Sequence, residues 1–308
     1  MSVAHSSLEQ FLLEHSRART VSFHMPGHKG SAFYRQYGHD AFLNDIMDCD
    51  VTEIPGADHL FQAEGRIRQI EERYARLYGA RASYLLVNST SGGLMAAIMA
   101  AVPRGGSLIM ARHSHKAVFN ALQMAGVHPV FAYPEFVPEW NIPGPVQPQE
   151  ILRCIREHPD ASAVILPSPN YYGICSDIQA IADLCHAEGK MLIVDQAHGA
   201  HLAMFQRFDA GEGLSLPPSA EAGGADLVVG SIHKTLASLT QSAVLHVMSD
   251  RVDCTRLEDK LQAVQSSSPS YLLMTSLEIN ADILEQHGKE CMMRCADQIG
   301  RASCRERV

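Results

Sequence analysis

The sequence has no surplus of basic residues: 25 Lys and Arg stand against 34 Asp and Glu, a formal net charge of -9. A nucleic-acid footprint needs a basic face, so this balance excludes that class of partner and fits a cationic substrate instead. No apolar run reaches membrane-spanning length, and residues 1–13 lack a basic region followed by an apolar core, so no membrane partner is expected and the protein is read as cytoplasmic. The eight cysteines contain no Cys-x-x-Cys pair and are read as reduced, small and apolar. Cys291 and Cys295, four apart on an expected helix, lack the clustered histidines of a zinc site, and no metal is assigned. There is one tryptophan, Trp140, and no internal repeat or low-complexity tract. What remains is a globular chain of 308 residues, 46% hydrophobic and 19% charged, long enough for one large core and part of a second domain.

Within it, Ser231-Ile232-His233-Lys234-Thr235-Leu236 follows the apolar run Ala225-Asp226-Leu227-Val228-Val229-Gly230. A lysine just beyond a buried strand is placed where desolvation disfavours the ammonium, which leaves more free amine to attack a carbonyl. Taken alone it reads first as a surface lysine. Upstream, Met191-Leu192-Ile193-Val194-Asp195 is a second buried-strand pattern, ending in a carboxylate. An Asp at the carboxyl end of a parallel strand points into the crevice where open α/β sheets bind ligands. Together the strand-end Asp195 and Lys234 suggest pyridoxal 5'-phosphate, whose aldehyde takes the lysine and whose pyridinium nitrogen takes the carboxylate.

Strand patterns at residues 84–87, 108–111, 127–133, 163–166, 191–195 and 225–230 alternate with helical patterns at 63–78, 94–101, 117–125, 150–157 and 177–188. That rhythm predicts an α/β fold with a doubly wound, mostly parallel sheet, and residues 242–248 are expected as its antiparallel member. Ser7 with Gln10 opens a short first helix, Gly79 closes the 63–78 helix, and a last helix is expected over 277–291. Residues 19–60, 134–148 and 211–224 read as loops. Between the first strand and its helix lies Asn88-Ser89-Thr90-Ser91-Gly92-Gly93. Free amides and the helix dipole would make it a phosphate cradle, the alternative being a strand-to-helix turn with no ligand.

Four stretches carry a family resemblance: Phe23-His24-Met25-Pro26-Gly27-His28-Lys29-Gly30, the Asn88 to Gly93 turn, Asp195-Gln196-Ala197-His198-Gly199-Ala200-His201, and Ser231 to Leu236. In this order they resemble the fold-type-I, aspartate-aminotransferase-like pyridoxal-phosphate enzymes, and within them the ornithine/lysine/arginine decarboxylases. The resemblance implies decarboxylation of a basic amino acid, with Lys234, Asp195 and His115 as catalytic residues. It sets His115 against one face of the cofactor ring and Ala197 against the other, and makes Thr90, Ser91, Gly92, Ser231 and His233 candidates for the phosphate. It places the His24 to Gly30 motif at an active-site entrance, either that of its own subunit or that of a neighbouring one, and residues 262–271 at a homodimer interface. Two positions depart from the family: Ser89 stands where glycine is usual, and Gln196 where Glu is expected.

The implied organisation is an N-terminal segment over 1–60, a pyridoxal-phosphate-binding large domain over 61–275, and the start of a connection over 276–298 to a C-terminal small domain that is missing. Residues 299–308 are similar to a translated sequencing adapter and are set aside as a non-native tail. A chain so shortened is expected to turn over little. Competing readings are an aminotransferase or other lyase on the same fold, a non-catalytic binding protein, and a metal-dependent hydrolase using Asp195, His198 and His201 near His113 and His115.

Overall fold

The computed structural model describes residues 7–18, 20–210 and 216–305. Short apolar runs become the strands β1 (Ala82–Leu86), β2 (Ser107–Ala111), β3 (His128–Ala132), β4 (Phe136–Val137), β5 (Ile142–Pro143), β6 (Ala163–Pro167), β7 (Met191–Asp195), β8 (Leu227–Gly230) and β9 (Ala243–Val247). Among the described residues the main sheet has seven strands, in the order β1-β9-β8-β7-β6-β2-β3. Neighbours from β8 through β3 are parallel, whereas β9 is antiparallel to both β8 and β1. The strand expected as the antiparallel member therefore is one, and β1 on its far side points the same way as the parallel set. The β4–β5 hairpin lies inside the Pro-rich segment read as a loop, where two-residue strands are too short to leave a periodic signal.

The helices are α1 (Leu8–Ala18), α2 (Ser31–Gln36), α3 (Asp40–Asn44), α4 (Arg66–Tyr78), α5 (Ser89–Ala101), α6 (Lys116–Ala125), α7 (Pro148–Glu157), α8 (Ile178–Ala187), α9 (Leu202–Phe208), α10 (Ile232–Thr235), α11 (Cys254–Val264) and α12 (Tyr271–Arg305). Alternating strand residues feed two faces of the sheet. Leu108, Met110 and Ile165 pack beneath α5, α6 and α11, while Ile109, Val164 and Val194 pack under α7 and α8. Further along that second face, Leu85 and Val244 meet α4, α9 and α12. Each such side chain contributes on the order of 1.5 to 3 kcal/mol on burial, which holds the strand ends in fixed register.

Several boundaries differ from those read in the sequence. Helix α5 starts at Ser89 rather than 94, because its first turn is small and polar, the composition of a turn. The segment 19–60 carries α2 and α3, and α9 and α11 were not anticipated. Helix α12 replaces the expected 277–291: it begins at Tyr271, where Ser270 Oγ accepts the Leu273 amide at 3.4 Å, and continues through Gly288 to Arg305. Gly288 fits there because a Cβ would lie 2.4 Å from the Phe208 ring. In the expected 211–224 loop, residues 211–215 lie outside the described residues, as do 306–308 of the presumed tail.

Candidate active site

The strands that point one way bring their carboxyl ends to one edge of the sheet, and a cavity of about 290 Å³ opens there. Ser89, Thr90 and Ser91 reach it from beyond β1, and His113 and His115 from beyond β2. Pro167 ends β6 and Pro169 and Tyr171 follow it, Asp195, Ala197 and His198 come from the end of β7, and Lys234 stands on α10 after β8. This is the crevice position expected of ligands in open α/β sheets.

Lys234 is half-buried, and its Nζ lies 3.2 Å from Nε2 of His198. Burial pulls the ammonium pKa below that of an ordinary lysine, with the Asp195 carboxylate opposing. Asp195 itself is 6% exposed and accepts the Ala197 amide at 3.1 Å. Burial raises its pKa against the pull of that amide, Lys234 and His115. His198 is pushed down to about 4, first by burial and then by the neighbouring cations, so it is a neutral imidazole at physiological pH.

At the other end, Ser89 takes φ 63°, the left-handed region that glycine adopts without strain. Asn88 before it makes no side-chain cap, leaving the first amides of α5 without an intrahelical or side-chain acceptor. Ser231 Oγ donates to Thr90 Oγ1 at 3.3 Å, which leaves the Thr90 hydroxyl hydrogen free for an acceptor in the cavity. His115 caps α6, its Nδ1 accepting the Ala117 amide at 3.2 Å, and it still lines the cavity.

The structure thus gathers Lys234, Asp195, His115, Ala197, Thr90 and Ser91 but not the whole candidate set. Ser231 is fully buried behind Thr90, and Gly92 packs under Asn88, whose Cβ would lie 3.2 Å from a Cβ at Gly92. His233 is turned away, with Nδ1 bonded to the Ser242 carbonyl at 2.9 Å. The His24 to Gly30 motif does not line the cavity; it lies behind the lysine helix, where the Gly27 amide donates to the His233 carbonyl at 2.7 Å. Asp58 is a structural cap, accepting the amides of His59, Glu64, Gly65 and Ile67 ahead of and within α4. His198, His113 and Tyr171 were not singled out as cofactor residues, although all three sit in post-strand segments, which is the signal that could have found them. Asp195 and His198 are brought together, but His201 turns into a separate cavity with Thr235, and among the described residues no three His, Cys, Asp or Glu side chains converge as a metal site.

A buried carboxylate with one amide donor needs a cationic or N–H partner. Sharing the cavity with it are a desolvated lysine, the open amino end of a helix, and His113, whose buried Nδ1 has no partner. These residues fit a flat, basic heteroaromatic ring carrying an aldehyde and an anion. Fold and site together define the fold-type-I pyridoxal-phosphate enzymes, as their large domain. A family model described as Orn/Lys/Arg decarboxylase, major domain, matches residues 6–307, and the chain belongs to that family, which implies pyridoxal phosphate as cofactor. It is 36% identical over 274 residues to the uncharacterized protein YaaO of Bacillus subtilis (strain 168), covering 88% of this chain and 55% of that one. To the arginine decarboxylase of Halalkalibacterium halodurans it is 31% identical over 290 residues, covering 93% and 57% respectively. Among solved structures, lysine decarboxylase A from Pseudomonas aeruginosa superposes with a TM-score of 0.70 at 25% identity, covering 94% of this chain and 41% of that one. The chain thus spans little more than half the length of these curated relatives. No helix among the described residues is long and apolar enough to cross a membrane.

Proposed function

We propose that this domain is the cofactor-binding part of an enzyme that removes the carboxylate of a basic amino acid, arginine, lysine or ornithine, as carbon dioxide. The observation that carries this is the single cavity shared by the desolvated Lys234 amine, the buried Asp195 carboxylate and the open amino end of α5. Pyridoxal phosphate, when bound, supplies the aldehyde that joins an amine and the conjugated ring that takes up the electron pair left by the departing carboxylate. Lys234 would hold it covalently and give way to the substrate's amine. Asp195 would keep a proton on the ring nitrogen, and its buried, low-dielectric setting would strengthen that contact. His198, neutral beside Nζ of Lys234, exchanges a proton with the amine. Thr90, Ser91 and the first amides of α5 would bind the phosphate, with Ser231 orienting the Thr90 hydroxyl. We assign His115 and Ala197 to the two faces of the ring; Ala197 is small enough to let it lie flat. The working protein is a homodimer or larger in this proposal.

The test is to expose the chain to pyridoxal phosphate, reduce it with borohydride and map the tryptic peptides. The label is expected on Lys234, and label on another lysine overturns the assignment. Carbon dioxide release from arginine, lysine and ornithine is then compared in the protein extended to the length of its relatives. Release from none of the three overturns the decarboxylase assignment.

A further inference from the structure

We infer that Gly27 and Tyr34 are positioning residues for Lys234: the amino-terminal segment grips the backbone of the lysine loop from behind and presents the amine to the cavity. This rests on Lys234 being the cofactor lysine. Helix α10 spans four residues, Ile232–Thr235, and is closed by the Leu236 amide on the Ile232 carbonyl at 3.0 Å. One such turn fixes several dihedrals for one bond and does not hold itself in water, so its placement depends on outside contacts.

The contacts bracket the lysine. On one side the Gly27 amide donates to the His233 carbonyl at 2.7 Å. On the other, Tyr34, 1% exposed, donates its hydroxyl to the Ala237 carbonyl at 3.1 Å, while the Ala237 amide donates to Asn280 Oδ1 at 3.0 Å. The approach at Gly27 is closer than any side chain allows: a Cβ there would lie 2.4 Å from the Leu236 carbonyl oxygen and 3.0 Å from that of Lys234. The opposing atoms are backbone, so relief requires the lysine loop or the motif to move. The motif is in turn tied to itself, with Lys29 Nζ donating to the His24 carbonyl and the Gly30 amide donating to His28 Nδ1 at 3.0 Å. The His28 ring meets Tyr34 edge-on at 5.9 Å, so the two gripping points form one unit. A displacement of about 1 Å is enough to break a contact such as that of Lys234 with His198.

The test uses Gly27→Ala and Tyr34→Phe in the whole chain, with two readouts on Lys234 by mass spectrometry. The first is the pH midpoint of its acetylation by acetic anhydride without cofactor, and the second is its rate of capture by pyridoxal phosphate with borohydride trapping. Gly27→Ala is expected to raise the midpoint by about 1 pH unit, toward an exposed lysine, and to slow capture about tenfold. Tyr34→Phe, which keeps the ring packing, moves both the same way by less. A purely structural role would lower melting temperatures and leave midpoint and capture at wild-type values, and that result overturns the inference. If Gly27→Ala does not fold, Tyr34→Phe decides alone: slower capture upholds the inference and unchanged capture overturns it. Absence of capture at Lys234 in the unaltered chain would instead overturn the cofactor assignment, and this inference with it.

Discussion

Nζ of Lys234 and Nε2 of His198 lie 3.2 Å apart, and burial drives both groups toward their uncharged forms. Two cations at that distance would repel, whereas a neutral imidazole can accept an N–H from the lysine or donate its own to the free amine. The pair joins the segment beyond β7 to the helix beyond β8, so the geometry of the lysine depends on two strand ends at once.

Replacing His198 with Phe keeps a flat ring and removes the hydrogen-bond partner of the amine. Capture of an aldehyde by Lys234 at pH 7 is expected to slow about tenfold or more. Borohydride trapping with timed tryptic mapping measures it, and a wild-type rate would exclude the imidazole from proton exchange.

Gln196 is 1% exposed and its amide bridges two partners, donating to both Glu221 oxygens at 2.8 Å and accepting the Ala220 amide at 2.7 Å. Gln196→Glu, the residue expected from the family resemblance, would therefore set carboxylate against carboxylate. Burial already raises the Glu221 pKa, and a second carboxylate raises one of the pair further, above its unfolded value. Stability is then retained at low pH and lost as pH rises through the folded pKa, by about 2 kcal/mol at pH 7. Urea unfolding at pH 5 and pH 8 measures this, and adding Glu221→Gln should restore the loss.

Ser89 holds a left-handed φ of 63° at the first position of α5. Ser89→Gly relieves that strain, less the extra freedom of the unfolded chain, and is expected to stabilise by up to about 1 kcal/mol. Ser89→Val, whose branched side chain tolerates the conformation worst, should cost about 2 kcal/mol. Thermal melts of the two variants must move in opposite directions; a shared direction would mean that the backbone there is not what limits the turn.

His246 on β9 is fully buried, with Nδ1 2.8 Å from Ser83 Oγ and its ring stacked on Tyr78, and burial depresses its pKa to about 3. A folded pKa below the unfolded one gives stability that is present above about pH 6.5 and lost as pH falls toward 3. Its share is on the order of 3 kcal/mol between pH 6.5 and pH 4. His246→Leu should flatten the acid limb of the stability curve by that amount, while costing about 1 kcal/mol at pH 7 for the Ser83 bond. An unchanged acid limb would assign the acid sensitivity to other groups.

Local pattern alone determined the large elements and the two residues at strand ends. Apolar runs of four or five residues marked β2, β6, β7 and β8, Gly79 marked the end of α4 with φ 67°, and the alternation of strands and helices placed Asp195 and Lys234 on one edge of the sheet. Those features depend on neighbours within a few residues, where periodicity and turn chemistry act. Tertiary structure decided which side chains face the cavity. His198 and His233 both flank the key residues in sequence, yet one meets Lys234 and the other bonds the Ser242 carbonyl. Likewise Gly27 read only as one residue of a loop motif at an active-site entrance, and its contact behind the lysine helix appears only when the fold brings the Leu236 carbonyl against it. A side chain's direction beyond a strand end follows from the backbone dihedrals of an irregular segment, and those are set by packing against elements distant in the chain.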